Sequence, residues 1–211
     1  MYPAKHFCQD DRQQQLALIK EYPLATILLP RSESQLNDIC QIPLLFDSSQ
    51  QLLIGHVAIY NPLSALNEQE VGLVFNSENC YLPPSYADNK TLPSWLYARV
   101  EVTAEVNIVT SLSKKKQIMT LLTDHFEQHF NAPEQDNWQI TQLSEKNLHG
   151  MFQQLTFIEF KPITWRGNFK LSQNKPDDIR QLIKTNLIRA GQPSIAKLFR
   201  ACSQKKPKGQ I

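Results

Sequence analysis

Between Tyr97 and Ile108 the chain alternates without a break. Ala98, Val100, Val102, Ala104, Val106 and Ile108 are apolar, and Arg99, Glu101, Thr103, Glu105 and Asn107 between them are polar. A period of two predicts a strand with one face on a core and one face away from it, the pattern of an antiparallel sheet. Extending the strand backwards puts Trp95 and Tyr97 on the polar face with Arg99 and Glu101. An aromatic pair beside opposite charges on a non-core face points to a ligand or a partner subunit.

Other β-like runs are short and bounded by turn formers. They cover Leu24–Leu29, Ile39–Phe46, Leu52–Tyr60, Val71–Phe75 and Cys80–Leu82, with Pro30, Asp47-Ser48-Ser49, Asn61-Pro62 and residues 76–79 between them. A first helix starts at Asp10 or Asp11, with Gln14 placed as the capping partner of Asp11, and ends before Pro23. Helices are predicted over Ser113–Phe130 and Glu145–Gln153, then a long strand over Leu155–Leu171. Asp177–Ala190 and Ser194–Cys202 read as two further helices around Gly191-Gln192-Pro193. Many short strands with flanking helices predict a closed or partly closed antiparallel barrel of the α+β class. The expected division is a barrel domain over 1–175 and a basic helical extension over 176–211.

Several classes of function are excluded. Six glycines leave no phosphate loop and no dinucleotide fingerprint. Cys8, Cys40, Cys80 and Cys202 are scattered, with no Cys-x-x-Cys pair, so reduced thiols in a cytoplasmic protein are expected. The N-terminus lacks the apolar stretch of a secretory signal, and no apolar run is long enough to span a bilayer. From Lys175 onward there are nine Lys/Arg against two Asp/Glu, whereas the preceding body is mildly acidic. Such a segment suits an anionic polymer, DNA among them.

Two motifs invite chemistry. In Gly167-Asn168-Phe169-Lys170-Leu171-Ser172-Gln173-Asn174, an extended backbone from Trp165 to Ser172 would aim Arg166, Asn168, Lys170 and Ser172 one way and Phe169 and Leu171 into the core. Two cations with an amide and a hydroxyl suit a phosphate. His125 and His129 have the i, i+4 spacing of a metal pair, but Phe126 stands where a zincin carries Glu, and a structural role is favoured. No catalytic residue and no metal ligand is assigned. The terminal helices have a helix–turn–helix outline with Lys197, Arg200, Lys205, Lys206 and Lys208. The apolar stripe Ile195, Leu198, Phe199 and Cys202 favours an ordinary amphipathic helix instead.

Taken together, these segments resemble the PaiB-like family of FMN-binding negative transcriptional regulators. The resemblance rests on the Gly167–Asn174 segment, Met1-Tyr2-Pro3 with His6-Phe7, Tyr22-Pro23-Leu24-Ala25-Thr26 and Ile42-Pro43-Leu44-Leu45. Gly55-His56-Val57-Ala58, Asn61-Pro62, Tyr81 with Pro84-Ser85, Leu92-Pro93-Ser94-Trp95 with Tyr97, and Leu122-Thr123-Asp124 complete it. It implies a split β-barrel assembled as a homodimer with FMN between subunits. Carried over by position, the implied cofactor-binding residues are His56, Asn61, Ser85, Trp95, Tyr97, Lys170, Ser172 and Gln173.

The chain departs from the family pattern at Ile59, where Arg is usual, at Leu96, where Asn is usual, at Glu101, where His is usual, and at Pro83-Pro84-Ser85-Tyr86-Ala87. Loss of a cation and gain of a carboxylate imply weakened flavin binding. Two alternatives stay open: a flavin-dependent oxidoreductase of the pyridoxine-phosphate oxidase-like class, and a cofactor-free split-barrel interaction module.

Overall fold

The computed structural model describes residues 3–30, 39–132 and 134–202. The chain divides into two compact units, one from 1–21, 76–100 and 166–211, the other from 22–75 and 101–165. The second unit holds most of the sheet. Its strands are β2 (Leu24–Leu28), β3 (Ile39–Pro43), β4 (Leu45–Asp47), β5 (Leu52–Ala58), β6 (Glu70–Asn76) and parts of β8 (Ser94–Val109) and β9 (Leu155–Lys170). They hydrogen-bond in the order β3-β2-β6-β8-β9-β5-β4. The short strands β1 (Cys8–Gln9) and β7 (Cys80–Leu82) belong to the first unit.

The alternation that opens the sequence is realised over most of β8. Leu96, Ala98, Val100, Val102, Ala104 and Val106 are all buried, and the residues between them are not. Only the end of the pattern fails: Val109 rather than Ile108 is buried, and it joins the core under α2 (Leu112–Phe130). That core gathers Ile54, Val109, Ile118, Leu122, Leu148, Phe152 and Phe157, the last two with ring centroids 4.8 Å apart. α3 (Glu145–Phe152) is capped by Ser144, whose Oγ accepts the Asn147 N–H. Lys114 on α2 pairs with Glu159 on β9 at 3.0 Å.

The predicted run Ile39–Phe46 is two strands rather than one. Pro43 has no N–H to continue a ladder, and the next residue, buried Leu44, donates its N–H to Pro23 O at 2.9 Å. The two strands resume on either side of that residue. β5 is likewise shorter than expected and stops at Ala58, with Ile59 still donating to Gln154 O.

In the first unit α1 (Arg12–Glu21) starts where the sequence places it, with Asp11 Oδ1 accepting the Gln13 N–H at 2.9 Å. β1 pairs with the end of β9 through Cys8 opposite Asn168 and Gln9 opposite Gly167, and β7 pairs with the start of β8. The approach at Gly167 is tight. A Cβ built there would overlap the Gln9 carbonyl oxygen and stand 2.9 Å from Gln9 Cβ. Replacing Gly167 with alanine is therefore expected to cost about 1–3 kcal/mol, read as a lowered denaturant midpoint, because a backbone oxygen cannot swing aside as a side-chain tip can.

α4 (Asp177–Arg189) and α5 (Pro193–Leu198) close the described chain. Ile183, Leu187, Ile195 and Phe199 are buried, and the Arg180 guanidinium lies 5.8 Å from the Phe199 ring. Of the expected terminal stripe, Ile195 and Phe199 are covered and Leu198 is half-buried. Lys205, Lys206 and Lys208, with the start of the Met1-Tyr2-Pro3 motif and the Cys202 side chain, lie outside the described residues. No described helix is long and apolar enough to cross a membrane.

Candidate functional site

The polar side of β8 is concave at its start. A cleft of about 380 Å³ is lined by Trp95, Tyr97, Ala98 and Arg99 from β8, by Asn76 at the end of β6, and by Ser77 and Asn79 from the segment between β6 and β7. Strand geometry puts Trp95, Tyr97 and Arg99 on one side. The facing segment is held by Ser77, whose N–H donates to Ala98 O at 2.9 Å while its Oγ accepts the Ala98 N–H at 2.9 Å. Ser77 thus uses its side chain to complete a ladder just past Asn76, the last residue of β6.

Trp95 does not plug a barrel. It is 53% exposed and meets Tyr81 across the β7–β8 pair with ring centroids 6.1 Å apart. Tyr97 is half-buried and contacted twice from β9: Asn168 Nδ2 donates to its hydroxyl at 3.4 Å, and Lys170 Nζ stands 5.9 Å from its ring centroid. The cleft therefore combines two aromatic rings, three small polar side chains and one guanidinium, with an ammonium against Tyr97. Among the described residues no carboxylate lines it. Such a lining suits a planar, hydrogen-bonding, anionic ligand.

The structure thus brings Trp95, Tyr97 and Lys170 into one neighbourhood. Ser172 is not on the strand as expected, because β9 stops at Lys170. The Gln173 side chain turns back, donating to Phe169 O and accepting the Leu171 N–H at 2.8 Å, and so ends the ladder. Ser172 is left buried in a turn at φ 59°, while Phe169 and Leu171 enter the core as read from the sequence. Ser85 is exposed on a 3₁₀ turn over Pro84–Tyr86, and Tyr86 O accepts from Asn186 Nδ2 on α4 at 3.2 Å.

His56 and Asn61 belong to the other unit. Asn61 caps a 3₁₀ turn, its Oδ1 accepting the Leu63 N–H at 3.0 Å. His56 on β5 lies opposite Phe157, with ring centroids 5.6 Å apart, and its Nδ1 has no hydrogen-bond partner among the described residues. Burial pushes its pKa below the ordinary imidazole value. The unfolded chain then binds a proton that the folded chain resists. Stability is expected to be full above pH about 6.5 and to fall as pH drops from there toward the lowered folded value. His56→Gln should flatten that slope in denaturant titrations repeated across the window.

His125 and His129 stack at 4.2 Å, and His129 Nδ1 hydrogen-bonds His125 O at 2.8 Å. Among the described residues no three His, Cys, Asp or Glu side chains gather as a metal site. The departures from the family pattern fall on different surroundings. Leu96 is 1% exposed and faces the core, so it takes nothing from the cleft. Ile59 is exposed beyond the end of β5.

Sequence reasoning did not assign Asn76, Ser77, Asn79, Arg99 or Asn168 to the cofactor set. The first three read as turn formers, although Arg99 and Asn168 could have been added by following the alternation of β8 and β9.

Residues 1–162 match the family described as "Putative FMN-binding domain". The chain belongs to this FMN-binding family. The match ends before Gly167–Asn174. No curated protein sequence matches significantly.

Among solved structures, the flavocytochrome Anf3 from Azotobacter vinelandii is similar with a TM-score of 0.57 and 9% identity, over 78% of this chain and 69% of that one. A FAD and heme binding protein from Mycobacterium smegmatis is similar with a TM-score of 0.58 and 18% identity, over 85% of this chain and 80% of that one. At such identities the likeness is one of fold. The fold of this family member is the split β-barrel, an antiparallel sheet left open and flanked by helices.

Proposed function

We propose that the chain binds FMN in the cleft on β8, works as a homodimer, and serves as a PaiB-like negative regulator of transcription. The observation that carries the flavin part is the cleft's lining: Trp95, Tyr97 and Arg99 with Lys170 beside them and no carboxylate among them. Trp95 and Tyr97 offer faces to the isoalloxazine ring. Arg99 and Lys170 offer charge to the phosphate, and Asn76 and Asn79 offer amides to the ring edge or ribityl hydroxyls. Bound FMN would supply a chromophore and a reversible electron acceptor.

Ser85 and Ser172 add hydroxyls in the same unit, and His56 and Asn61 join the set through the resemblance. The Gln173 and Asn61 side chains engage their own backbones, so their contribution is to shape turns. The weight of binding falls on Trp95, Tyr97, Arg99 and Lys170.

FMN titration of the purified protein, followed by flavin fluorescence and thermal stabilisation, tests the first part. A colourless protein that FMN does not stabilise would sink it. Rapid reduction of the bound flavin by a nicotinamide nucleotide would move the reading to an oxidoreductase. Sedimentation tests the dimer.

The regulatory part draws on the basic C-terminal composition, nine Lys/Arg against two Asp/Glu from Lys175 onward. It predicts salt-dependent DNA binding, about one unit of log–log salt slope lost for each phosphate contact removed. Lys205→Gln, Lys206→Gln and Lys208→Gln together should weaken a gel shift and lower that slope. An unchanged shift would clear the tail of this role.

A further inference from the structure

Asn168 does not line the cleft, yet its side chain reaches one that does. It is 2% exposed, and its Nδ2 donates to the Tyr97 hydroxyl at 3.4 Å. Burying an amide is costly where its hydrogen bonds are not met, and an apolar residue would fill a purely packed position at less expense. The backbone that carries Asn168 is also fixed. Gln9 and Cys8 pair with Gly167 and Asn168, the Gly167 site has no room for a Cβ, and Gln15, itself 2% exposed, donates its Nε2 to Gln9 O at 2.6 Å. Two residues further on, on the same side of β9, Lys170 approaches the face of the same tyrosine ring. One strand therefore holds Tyr97 by its hydroxyl and by its ring.

We infer that Asn168 is a positioning residue for the ligand of this cleft, acting through Tyr97: it fixes the plane of the ring against which a flat anionic ligand packs. The inference rests on the flavin reading above for its ligand, though not for the ordering of Tyr97 itself. At 3.4 Å the hydrogen bond is long, so its loss is a several-fold effect rather than an abolition.

Four proteins decide it: the full chain, Asn168→Ala, Tyr97→Phe and the double variant. Tyr97→Phe keeps the ring and its contact with Lys170 and removes the hydroxyl that accepts from Asn168. The FMN dissociation constant should rise about three- to tenfold in each single variant, and the double variant should be no worse than the weaker-binding single. Independent effects that multiply in the double variant, or an unchanged constant in Asn168→Ala, overturn the inference.

A second readout needs no ligand. With ring-labelled tyrosine, the Tyr97 resonances of the free protein should show slow or restricted ring flipping that Asn168→Ala converts to fast averaging. If the full chain fails to bind FMN, the flavin reading falls, and the ring spectra still decide whether Asn168 orders Tyr97; identical spectra refute it. Should Asn168→Ala fail to fold, Asn168→Ser and the Tyr97→Phe arm carry the same comparisons.

Discussion

Phe157→Ala should lower the unfolding free energy by about 3–5 kcal/mol, the largest stability loss expected of any single truncation in this core. Phe157 is fully buried and sits in the cluster of Ile54, Val109, Ile118, Leu122, Leu148 and Phe152. Its ring meets Phe152 at 4.8 Å and His56 at 5.6 Å, so deletion opens a void bordered by side chains from β5, α2 and α3. Those elements are hydrogen-bonded in their own right and cannot collapse inward to fill it. The melting temperature should drop by roughly 6–20 °C. Phe157→Leu, which refills most of the volume, should recover the greater part. A loss below about 1 kcal/mol in calorimetry would mean that this cluster is not the centre of the unit's stability.

Arg99→Ala should weaken FMN binding by about 10- to 150-fold, the cost of one charge-assisted hydrogen bond of about 1.5–3 kcal/mol. Arg99 is the guanidinium in the lining of the cleft, and an ammonium substitute lacks its planar fork. Arg99→Lys should therefore recover part of the affinity. Riboflavin, which has no phosphate, should bind both forms more nearly alike. Equal losses for FMN and riboflavin would place Arg99 against the ring instead. The melting temperature of the unliganded variant serves as the control, because a large drop would implicate folding rather than the ligand.

What a sequence discloses depends on how local its cause is. The strand through Ala98–Val106 is legible because one face is buried along its length, and burial writes a period of two into the residues. Phe169 and Leu171 enter the core for the same reason. Ser172 is not legible, since its turn depends on the Gln173 amide folding back on two backbone groups, an event with no periodic trace. The break at Leu44 is hidden because the run changes partner there, β3 pairing with β2 and β4 with β5, and neither partner is named by the residues of the run.

The cleft is half visible in the residues. Trp95 and Tyr97 announce themselves as aromatics on a polar face. Asn76, Ser77 and Asn79 carry the composition of any turn, and only the pairing of Ser77 with Ala98 gives that segment a second role. Asn168 reads from its own strand as facing a ligand beside Arg166 and Lys170, and it is buried in the unit to which β1, some 160 residues earlier, contributes.

An open ladder of strands has two rims, and each could recruit a neighbouring molecule's backbone into a growing fibre. In this chain one rim is β4, only three residues long, and the other is β3, which closes on Pro43. A three-residue rim offers too few amides to template an incoming chain, and a proline at the other removes a donor where docking would continue. The protein can thus keep its sheet unsealed while resisting the uncontrolled polymerisation that unsealed sheets invite.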